Sequence, residues 1–148
     1  LELGADHAIN YREADFVSQV QEITSGKGVE LILDMVGGDY IQKNITCLAL
    51  EGRLVQIAFL KPAINEINLA PMMINRLTIT GSTLRPRNVE QKGAIASELR
   101  ENVWPLFHQG KLQVLVHQTF SLEKANEAHR LMEASTHIGK IILDLSKQ

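Results

Sequence analysis

Between two glycine turns the chain runs Val29-Glu30-Leu31-Ile32-Leu33-Asp34-Met35-Val36. Such a run is too short for a typical helix, and it is apolar almost throughout. That suits a strand buried on both faces of a parallel sheet. Gly37-Gly38 breaks it, and Asp39 can cap a helix over residues 40–50 with Ile41, Ile45, Leu48 and Ala49 inward. Gly52 closes that helix, and residues 53–59 read as the next strand. Upstream, residues 7–11 read as a short strand. Residues 14–24 have helical spacing, with Phe16, Val17, Val20 and Ile23 on one stripe. Strands that alternate with helices across short glycine-bearing connections specify right-handed βαβ units and a parallel sheet.

The pattern continues. Residues 77–82 alternate and are rich in β-branched types, so they form a strand. Asn88 caps a long helix to about His108 that Pro105 should end or kink. After Gly110, a strand over 113–120, a helix over 122–134 capped by Ser121 and a strand over 138–145 form a further βαβ segment. Hydrophobic residues make up 45% and charged residues 22%, which excludes extended disorder. A net charge of −2 argues against a nucleic-acid or anionic-membrane surface. No stretch approaches the roughly 18 apolar residues of a membrane span. The single Cys47 cannot form an internal disulfide, which favours a reducing compartment such as the cytoplasm. The chain opens on Leu1, and residues 1–6 read like the tail of a helix with Gly4 as its C-cap. The expectation is a part of a longer protein.

No G-x-G-x-x-G, Walker A or G-x-S-x-G motif is present, and Gly26-Lys27-Gly28 follows a helix and reads as a turn. The five histidines do not fall at metal-ligand spacing, so no metal site is expected. What remains are strand C-termini, where open α/β sheets bind ligands. Four stand out: Asn10-Tyr11, residues 34–38, Ala58-Phe59-Leu60 and residues 82–85. Each also has a plainer reading. Tyr11 could cap a strand, Gly37-Gly38 could be a tight turn, Phe59 could be core and Arg85 a solvated charge.

Leu3-Gly4-Ala5-Asp6, Ile9-Asn10-Tyr11, Val36-Gly37-Gly38, Glu51-Gly52-Arg53-Leu54-Val55, Gly81-Ser82-Thr83-Leu84-Arg85 and His137-Ile138-Gly139-Lys140-Ile141 resemble one family. It is the zinc-free NADPH:quinone oxidoreductase branch of the medium-chain dehydrogenase/reductase superfamily. The likeness implies an α/β fold: a partial Rossmann domain, doubly wound and lacking its first two strands, over residues 1–111. Residues 112–148 would return to the catalytic domain. It also implies NADPH as cofactor and a quinone as hydride acceptor. Reduction of activated C=C bonds in enals or enones is the alternative within enzymes, and a non-catalytic nucleotide-binding or scaffold role the alternative outside them. Residue by residue, Tyr11 would contact the adenosine 2′-phosphate at the end of the third Rossmann strand. Val36 and Gly37 would lie beside the ribose, where a missing side chain permits close approach. Phe59 and Leu60 would wall the nicotinamide, and the backbone of Ser82, Thr83 and Leu84 would reach its carboxamide. Lys140 would lie near the pyrophosphate. No catalytic residue is assigned. The family also implies a homodimer through the strand at 77–81. Residues 1–148 alone are expected to bind NADPH weakly and to turn nothing over, because the glycine-rich first βα turn is not among them.

Overall fold

The apolar run becomes a strand, β1 (Val29–Asp34), in a computed structural model that describes residues 1–146. The chain divides into two compact units, Leu1–Arg87 and Asn88–Gln148, each with its own parallel sheet. In the first, β1, β2 (Leu48–Gln56) and β3 (Thr78–Gly81) lie side by side in chain order. That is the order of the fourth, fifth and sixth strands of a Rossmann sheet.

Helix α1 (Phe16–Ile23) begins at Asp15, whose carboxylate accepts the Ser18 backbone N–H at 3.1 Å and its hydroxyl at 2.7 Å. Helix α2 (Tyr40–Cys47) supplies Ile45, which packs with Leu48 and Leu54 in the core, backed by Ile32, Ile41 and Leu77. α2 stops at Cys47, short of the expected Leu50, because Leu48 is already extended and pairs with Val29. The register between β1 and β2 then slips, and Glu51 in that stretch takes φ +62°. Such a bulge absorbs extra residues within a ladder. Gly28, at φ +77°, sits against this crossing. A Cβ there would meet the Cys47 carbonyl oxygen at 2.6 Å, so only glycine fits.

Four other expectations in this unit are corrected. Residues 7–11 form no strand: 7–10 are irregular and Tyr11 opens a turn, since no described strand lies beside them to complete a ladder. β1 is not covered on both faces: as the outer strand of its sheet it leaves Leu31 62% and Leu33 64% exposed. β2 ends at Gln56 and not at Phe59, because β1 has already ended at Asp34 and the chain turns back across it. Asp39 precedes α2 but makes no capping hydrogen bond, its carboxylate being held by Lys61 at 2.6 Å.

In the second unit the long helix is α4 (Val89–Glu98), a five-residue π-helical stretch (Leu99–Val103) and α5 (Trp104–His108). Asn88 caps α4 with a complete capping box to Gln91. Pro105 neither ends nor simply kinks the helix. It lacks an N–H and crowds the carbonyl of the residue four before it, and the wider π turn just upstream accommodates both. β4 (Val116–Ser121) and β5 (Lys140–Asp144) pair in parallel, with a 3₁₀ turn (Leu122–Lys124) and α6 (Ala125–Ala134) between them. Both strands are narrower than expected. Ser121 precedes the 3₁₀ turn without a capping hydrogen bond. Phe120 and Ala128 are the buried side chains here. Helix α3 (Ala70–Ile74) in the first unit is a single turn. No helix among the described residues is long and apolar enough to cross a membrane.

Candidate functional site

Three parallel strands bring Asp34, Gln56 and Gly81 to one edge. There the chain leaves the sheet and its backbone groups lose their ladder partners, so each must be satisfied locally. Asp34 does this for the first turn. Its buried carboxylate accepts the N–H of Val36 at 2.6 Å and that of Gly37 at 3.2 and 3.3 Å. The next crossing, residues 57–61, folds back over that turn. Ile57 N–H donates to Asp34 C=O at 2.8 Å, Leu60 N–H to Met35 C=O at 3.2 Å and Lys61 N–H to Val36 C=O at 2.8 Å. The third strand end joins through Ser82 N–H, which donates to Gln56 C=O at 3.0 Å.

Beside this lacework lies an open cavity of about 500 Å³, lined by residues 56–59 and 80–83. Its lining joins the small residues Ala58, Thr80, Gly81, Ser82 and Thr83 to Gln56, Ile57 and Phe59. Such a surface suits a flat ring held by backbone donors and acceptors, and the volume admits a nicotinamide with part of its ribose. The residues therefore fit that end of a dinucleotide.

The expected site residues fall into place unevenly. Val36, Gly37, Phe59 and Leu60 come together across the two crossings, and Phe59, Ser82 and Thr83 line one cavity. Leu84 follows them, 56% exposed. Gly37 takes φ +70°, and a Cβ on it would stand 2.5 Å from the Phe59 ring. The missing side chain thus makes room for Phe59, which lines the cavity, before any ligand is considered. Tyr11 stands in an aromatic group: its ring meets Tyr40 edge-on at 6.4 Å, and Tyr40 stacks on Phe16 at 5.5 Å. Cations surround that group, with Arg12 at 6.0 Å over Tyr11 and Lys61 at 4.7 Å over Tyr40. Lys140 opens β5 in the second unit, its N–H donating to Leu115 C=O.

The reading of the sequence included Asp34 in a singled-out strand end without giving it a role, and passed over Lys61 and Gln56. Asp34 had a signal, since an Asp just before a glycine turn commonly accepts the following N–H groups. Gln56 had one too, as the polar residue in Leu54-Val55-Gln56-Ile57. The Lys61–Asp39 pair had none. The Lys61 hydrogen bond lowers the Asp39 carboxyl below its ordinary range and raises the Lys61 ammonium above its own. Burial pushes the Cys47 thiol up, which disfavours the reactive thiolate.

The sequence profile of the zinc-binding dehydrogenase family matches residues 3–143. The 2-haloacrylate reductase of Burkholderia sp is 34% identical over 145 residues, covering 95% of this chain and 42% of that protein. Quinone oxidoreductase 1 of Escherichia coli is 29% identical over 150 residues, covering 97% of this chain and 44% of that protein. The crystal structure of CurK enoyl reductase superposes with a TM-score of 0.73 at 28% identity, covering 97% of this chain and 42% of that one. The chain spans less than half the length of the curated relatives it matches. Among the described residues no three His, Cys, Asp or Glu side chains gather to hold a metal ion. The chain belongs to the zinc-binding dehydrogenase family, and what it matches is the C-terminal portion of the quinone oxidoreductase type of medium-chain dehydrogenase/reductase.

Proposed function

We propose that this chain forms the nicotinamide end of an NADPH site in an oxidoreductase that reduces a quinone. The observation that carries the reading is the cavity at the C-terminal edge of the sheet, lined by Phe59 on one crossing and by Ser82 and Thr83 on the other. Bound there, NADPH supplies a hydride to an acceptor stacked on its ring. The residues of the chain bind and orient. Asp34 fixes the Val36-Gly37 turn, residues 57–61 set the Phe59 wall, and Ser82 to Leu84 hold the carboxamide. Tyr11 recognises the 2′-phosphate and so favours NADPH over NADH. None of these groups is assigned a proton transfer, and a quinone needs no strong protein acid to accept electrons.

Reduction of an activated C=C bond is the second reading, supported by the likeness to a 2-haloacrylate reductase and an enoyl reductase. The edge strand β3, whose four residues are all exposed and which has no Pro or Lys, supports a homodimer through that strand. Light scattering tests the dimer. The function is tested by following NADPH absorbance in the full-length protein with a benzoquinone and with an α,β-unsaturated ketone. Faster oxidation with the quinone supports the first reading. Faster oxidation with the ketone supports the second, and oxidation with neither rejects both.

A further inference from the structure

We infer that Gln56 is a positioning residue of this cavity, its side-chain amide holding the Phe59 wall in place over the strand ends. The inference rests on the cofactor reading above and names a residue that reading leaves unused.

Gln56 is the last residue of β2, the middle strand, and it touches all three crossings at once. Its Nε2 donates to Ala58 C=O at 2.6 Å and to Asp34 C=O at 3.3 Å. Its main-chain carbonyl accepts Ser82 N–H. The orientation of the amide follows from its partners: both are carbonyls, so the nitrogen and not the oxygen must face them. Oε1 is buried and accepts nothing from the described residues. A half-buried amide that satisfies its donors but leaves a buried oxygen unpaired adds little net stability, since the unpaired acceptor offsets part of the gain. Its bonds serve geometry instead: they tie the Ala58 peptide, next to Phe59, to the end of β1.

The two kinds of bond made by Gln56 separate its roles. The Ser82 bond uses backbone and survives any substitution, whereas the Ala58 and Asp34 bonds need an amide N–H. In Gln56→Met the side-chain bonds vanish at similar volume. Hydrogen exchange of the Leu60 and Lys61 amides in the free protein should speed up about three- to tenfold, the loss of one neutral hydrogen bond. Exchange at Ser82 should stay unchanged. In Gln56→Glu an ionised carboxylate faces two carbonyl oxygens, which raises its pKa, while the protonated acid can donate to one of them. NADPH affinity of Gln56→Glu in the full-length protein, read by fluorescence beside full-length wild type at each pH from 8 to 5.5, should be about tenfold weak at the alkaline end and recover on acidification. The wild-type run corrects for Asp34, the ionisable side chain on the adjoining strand end. Unchanged exchange at Leu60 and Lys61 in Gln56→Met would overturn the inference whether or not NADPH binds. A pH-independent affinity ratio for Gln56→Glu would overturn it as well. Failure of the wild type to bind NADPH would instead reject the cofactor reading, with the exchange result still deciding the role of Gln56.

Discussion

Gly37→Ala is expected to lower stability by about 2–3 kcal/mol, through two terms that can be separated. The left-handed backbone at φ +70° costs an alanine about 1–2 kcal/mol. The added Cβ would also stand 2.5 Å from Cδ1 and 3.2 Å from Cε1 of the Phe59 ring. The ring is 51% exposed and can swing toward solvent, so this contact adds only about 1 kcal/mol, the low end for overpacking. Urea unfolding of Gly37→Ala, Phe59→Ala and the double variant measures both terms. Without the ring only backbone strain remains, so the alanine should cost about 1 kcal/mol less in the Phe59→Ala background. Equal costs in the two backgrounds would refute the contact between this turn and the cavity wall. A cost below about 0.5 kcal/mol in wild type would refute the strained backbone as well.

Asp34→Ala should destabilise by about 3 kcal/mol, because hydrogen bonds to a charged acceptor are worth about 1.5–3 kcal/mol and two N–H groups lose theirs. Asp34→Asn, which keeps one accepting oxygen, should cost about half as much, and equal losses in urea unfolding would contradict the assignment. The Asp39–Lys61 pair gives a small pH dependence on each side. With the Asp39 pKa lowered, its contribution is present above the ordinary carboxyl value and lost as pH falls through the lowered one. With the Lys61 pKa raised, its contribution is present below the ordinary lysine value and lost as pH rises through the raised one. NMR titration of the Asp39 carboxyl should move up in Lys61→Met and in high salt; identical curves would count against the pair. In the full-length protein, Tyr11→Phe should weaken NADPH by about 1.5–3 kcal/mol and NADH much less, and equal effects on the two cofactors would reject the 2′-phosphate role.

Where local pattern and tertiary pairing agreed, the sequence was readable. β1 and β2 announced themselves through apolar runs beside glycines and β3 through alternating β-branched residues, and their parallel order followed from the helices between them. What failed depended on neighbours. Residues 7–11 have strand composition, but no described strand lies beside them. Leu48 to Leu50 continue a helical stripe, yet pairing of Leu48 with Val29 draws them into β2. Pro105 promised a break, and a π turn absorbed it. In the site, strand ends could be found from pattern alone, because a parallel sheet puts them all on one edge. The hydrogen bonds that shape that edge could not. Gln56 reaches Asp34 from 22 residues away, and no spacing rule connects them.

The central claim is that the edge formed by Asp34, Gln56 and Gly81 holds the nicotinamide half of NADPH. Hydrogen exchange of the full-length protein, with and without saturating NADPH, tests it most directly. Exchange should slow at residues 35–38, 57–61 and 82–84, with little change in helix α1. Saturation with NADPH that leaves all three segments exchanging as in the free protein would contradict it.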